Sequence, residues 1–177
     1  MKKLTILTFV AAMMILMSSF ASAQTATGTL TVTATVNSSI NLVFNNDAAG
    51  VALSAGAGTN TATLAFGNVS AFGAIGANIT RSTTATTFTV STPVDVLVSK
   101  ANSASANYTL KAQLGAADAV NTWQVGGTTV TSAALATITA TGAYGSNVAE
   151  AIALTVPFTT ANATAISNTI NFTATAN

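Results

Sequence analysis

Thr27-Gly28-Thr29-Leu30-Thr31-Val32-Thr33-Ala34-Thr35-Val36 alternates small polar residues with apolar ones. A two-residue side-chain period is the mark of a half-buried β-strand, and it sets Leu30, Val32, Ala34 and Val36 on one face. Threonine and valine are β-branched and suit a pleated surface better than a helix. A strand is therefore predicted over residues 26–37.

Upstream of this strand, Met1-Lys2-Lys3 opens an uncharged run from Leu4 to Met17, and small residues end in Ala21-Ser22-Ala23. A basic start, a short apolar core and an A-x-A-like site read as a secretory signal peptide over residues 1–23. A retained, uncleaved anchor is the alternative. At about 14 residues the apolar run is short for a membrane-spanning helix, so no stable span is expected after cleavage. Removing 23 of the 177 residues leaves 154, enough for one domain with a real core over residues 24–177. The expected location is outside the cell or on its surface.

Without Lys2 and Lys3 the chain keeps Arg81, Lys100 and Lys111 against Asp47, Asp95, Asp118 and Glu150. Ordinary domains carry about 25% charged residues, so this domain is very sparsely charged. No basic footprint exists for nucleic acid, and no polybasic patch for anionic lipid. Sparse charge also removes repulsion between copies, which suits self-association. Cysteine is absent, so packing and strand pairing must hold the domain together.

Downstream, Thr, Val, Ile and Phe recur in short alternating runs separated by Gly, Asn, Asp and Ser. The fold class this predicts is all-β, an antiparallel immunoglobulin-like sandwich. Strands are expected at 40–44, at 60–66 with Ala62, Leu64 and Phe66 on one face, and at 85–91 and 94–99 with an edge or bend at Pro93. Residues 67–78 read as a long loop. Residues 107–114 alternate, with Lys111 on the solvated face. Gly126-Gly127 marks a two-residue hairpin, since both positions accept positive φ. A strand follows at 133–140. The runs Ile152/Leu154/Val156/Phe158 and Ile166/Ile170/Phe172/Ala174 read as a closing antiparallel hairpin.

Three stretches resemble a family of secreted proteins. They are the first strand, Ala62-Thr63-Leu64-Ala65-Phe66-Gly67, and the closing runs Leu154-Thr155-Val156-Pro157-Phe158 and Thr169-Ile170-Asn171-Phe172-Thr173-Ala174-Thr175-Ala176. Together they resemble pilin-like proteins of the spore coat U and chaperone–usher kind. The resemblance implies an incomplete sandwich completed by the N-terminal strand of the next subunit. It departs from those families in lacking a cysteine pair and in carrying Ala176 where many subunits have an aromatic residue.

Catalysis needs groups whose protonation or ligation can be tuned. Without His or Cys the usual triads, thiol nucleophiles and His-based metal sites are excluded. The four acids are far apart in sequence, and Asn45-Asn46-Asp47 reads more simply as a turn than as a calcium loop. No enzyme activity, cofactor or metal is expected. Lys111 with Glu150 is a candidate pair for a lysine crosslink, against the simpler reading of a solvated lysine.

The leading expectation is a structural subunit of a fibre, pilus or surface coat. Leu30, Val32, Ala34 and Val36 would fill pockets of a neighbouring copy, with Gly28 where backbones approach closely. The alternative is a monomeric adhesive module that binds a glycan on a platform of Trp123 and Tyr144.

Overall fold

The computed structural model describes residues 27–177, so the signal peptide expected at 1–23 lies outside the described residues. Two units are distinguished, Met1–Thr35 and Val36–Asn177. In the first, residues 27–35 contain no strand and are exposed. The strand predicted over 26–37 is thus not formed in the single chain. The first ladder starts at Ser39, opposite Ala101. Alternation gives a strand a face, but its N–H and C=O groups still need a partner edge.

The second unit is all-β, with antiparallel strands and no helix among the described residues. Its strands are β1 (Ser39–Asn45), β2 (Thr80–Thr83), β3 (Thr87–Ala101), β4 (Asn107–Leu114), β5 (Thr122–Val125), β6 (Thr128–Val130), β7 (Ala136–Ala143), β8 (Asn147–Pro157) and β9 (Ile170–Ala176). One sheet has the order β1-β3-β8-β5-β6, with β2 also on β3; the other has the order β7-β4-β9. Alternation decides which face is buried. Phe88, Val90, Thr92, Val94, Val96 and Val98 of β3 point inward, and so do Tyr108, Leu110, Ala112 and Leu114 of β4. Residues of both sheets meet in one core, where Val90, Leu154 and Trp123 join Ala112 and Leu114.

The Gly126-Gly127 hairpin forms as the sequence predicts, with φ of 55° and 79°. Other expectations are corrected. β3 does not bend at Pro93 but runs unbroken to Ala101. β1 covers Asp95–Ala101 of β3 and β2 covers Phe88–Ser91, so Pro93 falls in the gap between them. A residue's nitrogen and carbonyl point to the same side of a strand, and the Pro93 carbonyl abuts Gly50 in that gap. The missing N–H therefore removes no ladder bond to β8, and the proline is tolerated as at an edge.

The closing hairpin does not form either. β8 pairs with β3 and β5, whereas β9 pairs with β4 in the other sheet. Residues 158–169 carry the chain from one sheet to the other, a connection too long to impose hairpin register. Residues 60–66 make only the isolated bridge Ala55↔Thr63, and β2 (TRST) carries no apolar alternation that would announce it. The strand expected at 133–140 occupies 136–143.

Candidate functional site

Among the described residues β1 and β9 are edge strands, one in each sheet, and each has a single strand partner. Their inner faces meet where the rings of Phe44 and Phe172 pack edge to face, with centroids 5.2 Å apart. Beside this contact lies a groove of about 1900 Å³. Its floor is the core face of the larger sheet, with Val94 and Val96 from β3 and Ile152, Leu154 and Val156 from β8. Ile170 and Phe172 of β9 form one wall, and Leu42 of β1 lies at the other. The lining is mostly aliphatic and aromatic, so it offers apolar burial. The unpaired edge of β9 offers backbone hydrogen bonds.

The stretch expected to act in assembly has side chains of matching character. Leu30, Val32 and Val36 are 88%, 80% and 74% exposed. Gly28 and Ala34 are exposed as well, and a side chain at position 28 would meet nothing within 4 Å. Apolar residues this exposed in regular alternation leave a ready face without a partner.

Trp123 and Tyr144 are not brought together. Trp123 is 6% exposed and belongs to the main core, where its ring N–H donates to Asp118 Oδ2 at 2.8 Å. Tyr144 packs on a second cluster, with its ring 5.3 Å from that of Tyr108 and its hydroxyl donating to the Asn107 carbonyl at 3.0 Å. The Lys100 ammonium sits 5.1 Å from the Tyr144 ring centroid, a cation–π contact. Both aromatics are thus used in packing, and no shared stacking surface exists.

The acids hold structural positions. Asp118 Oδ1 accepts the N–H groups of Val120 and Asn121 at 3.0 and 2.9 Å, which fixes the turn before β5. Partial burial pushes its carboxyl up, but hydrogen bonds from Asn121, Trp123 and Val120 outweigh that and hold it at about 2. Asp47 caps its own turn by accepting the Ala49 N–H at 2.7 Å. Burial raises the Asp95 carboxyl, and the nearby Asp47 adds to the rise.

Glu150 points inward from β8 and is 6% exposed. Burial raises its carboxyl above the ordinary range, and a 3.3 Å bond from the Thr139 hydroxyl opposes this. Lys111 lies on the outer face of β4, opposite Leu110 and Ala112, so it does not pair with Glu150 for a crosslink. Among the described residues, no three His, Cys, Asp or Glu gather to hold a metal ion.

The groove and its two edges had no signal in the sequence, because they depend on β8 and β9 parting into different sheets. Arg81 was also missed as a positioning residue. It donates from Nη1 to the Ser70 carbonyl and from Nη2 to the Gly73 carbonyl, both at 2.9 Å. Compared with known proteins, the chain matches no family model, no curated protein and no solved structure.

Proposed function

We propose that the chain is an exported structural subunit that assembles by strand exchange into a fibre or surface coat. In this reading the body is an immunoglobulin-like sandwich lacking a strand. The segment bearing Leu30, Val32, Ala34 and Val36 of one copy lies in the groove of the next. The observation that supports the reading is a complementary pair: an exposed apolar alternation without a ladder, and a groove with an apolar floor beside a strand edge that no described strand pairs.

Lengths agree as well. Leu30 to Val36 and Ile170 to Ala176 each span seven residues, about 20 Å when extended. Burying each large side chain contributes roughly 1.5–3 kcal/mol, and pairing along β9 adds backbone bonds. The scarcity of charge reduces repulsion between stacked copies.

Size-exclusion chromatography and negative-stain microscopy of the chain starting at Gln24 test the proposal. Concentration-dependent oligomers or filaments are expected. A species that stays monomeric at high concentration, with residues 27–36 protected from exchange inside its own sheet, overturns it.

A further inference from the structure

The groove is covered by a segment that resembles a strand in its side chains but not in its backbone. Ala62, Leu64 and Phe66 are half-buried, while Thr61, Thr63 and Ala65 are exposed. Leu64, Phe66, Val69, Ala71 and Ile75 all pack on the main core. The backbone is tied at one point, where Thr63 exchanges bonds with Ser54 and Ala55. From Leu64 to Ile75 no backbone–backbone hydrogen bond forms among the described residues. A stretch held by a few apolar contacts without a ladder opens at low free-energy cost.

What holds it is local. Arg81, the chain's single arginine, sits on β2 opposite Val90 and grips the Ser70 and Gly73 carbonyls. The Phe72 ring lies 5.9 Å from that of Phe158, which stacks on Phe88 at 6.4 Å.

We propose that residues 64–75 are a removable cover, latched by Arg81 and Phe72, that must lift before the groove accepts a strand. The proposal rests on the strand-exchange reading and adds its control. Leu64 and Phe66 line the groove that the incoming apolar residues would enter. An incoming strand can replace their burial and also pair with β9, which the cover does not do. The exchange is therefore downhill once the latch opens, and the latch sets its rate. In the closed state the apolar floor is shielded from unselective association.

The test uses the full mature chain and a fluorescent peptide with the sequence of residues 24–37. Association is followed by anisotropy, and exposure of the cover by chymotrypsin cleavage after Phe66 and Phe72. Arg81→Ala is expected to speed association about tenfold, the effect of losing roughly 1.4 kcal/mol of charge-assisted hydrogen bonding. Phe72→Ser, a change at a largely exposed ring, should speed it several-fold. Cleavage after Phe66, which is half-buried in the closed state, should speed up when the peptide binds.

Peptide binding at an unchanged rate in both variants, with cleavage after Phe66 unaltered, refutes the cover and leaves strand exchange standing. No peptide binding to any form refutes both. If Arg81→Ala loses its fold by circular dichroism, Phe72→Ser and the cleavage of the unmodified chain decide.

Discussion

The indole N–H of Trp123 and the Asp118 carboxylate, 2.8 Å apart, join the turn before β5 to the core. One carboxylate collects this bond and two backbone N–H groups, so a surface turn and a buried ring are fixed together. Hydrogen bonds to the ionised form favour it, which is why this acid stays charged down to about 2.

A depressed folded value gives stability that is present above the unfolded value and lost as pH falls through the folded one. For Asp118 the window runs from near 3.8 down to about 2. Asp118→Asn should cost about 1 kcal/mol at neutral pH, allowing for solvent screening, and should flatten the acid limb in that window. Urea titrations followed by the fluorescence of the single tryptophan measure both.

Glu150 acts in the opposite sense. Its folded value is raised, so the ionised group weighs on the fold at neutral pH, and the cost disappears as pH falls below the ordinary 4.5. Glu150→Gln is expected to raise stability at pH 7 by about 1 kcal/mol and to leave it nearly unchanged at pH 4. Equal effects at both values would show that burial of the charge is not the cause.

Glycines separate two kinds of constraint. A Cβ at Gly142 would run into the ring of buried Tyr108, whereas one at Gly127 would meet open space, although φ there is +79°. Gly142→Ala should cost about 1–3 kcal/mol by overpacking. Gly127→Ala should cost about 1 kcal/mol from left-handed strain alone. Thermal melts of the two variants compare them directly.

Assembly has its own pair of variants. Val32→Asp puts an unpaired charge on the face that the proposed exchange would lay in a neighbour's groove, and Thr31→Asp puts the same charge on the other face. Val32→Asp should abolish oligomers, and Thr31→Asp should be milder. Both side chains are exposed in the single chain, so neither should move the thermal midpoint of the monomer. Loss of monomer stability in Val32→Asp alone would show that the strand belongs to its own domain.

Where one local period decides burial, the sequence was readable. Tyr108 to Leu114 alternates as it packs, the Gly126-Gly127 turn has the φ its residues require, and Leu64 and Phe66 face the core as their spacing implies. Partner choice was not readable. Ile152–Val156 and Ile170–Ala174 have the inward faces expected of them, yet the long connection sends them to different sheets, and side-chain period carries no record of that. β2 is polar throughout and is held by β3 rather than by burial. Trp123 as an exposed platform failed because one acid five residues upstream satisfies its only polar atom inside the core.

β1 and β2 lie along the same edge of β3, and the chain between them leaves and returns at the Pro93 gap. That gap is sealed by Thr92, whose hydroxyl accepts the Val51 N–H and donates to the Asn78 carbonyl, each at 2.8 Å. The excursion is thus cinched at its base like the neck of a purse, while the ladders above and below keep their register. A movement of residues 64–75 would therefore stop at the neck and leave the ladders of β1 and β2 on β3 in register.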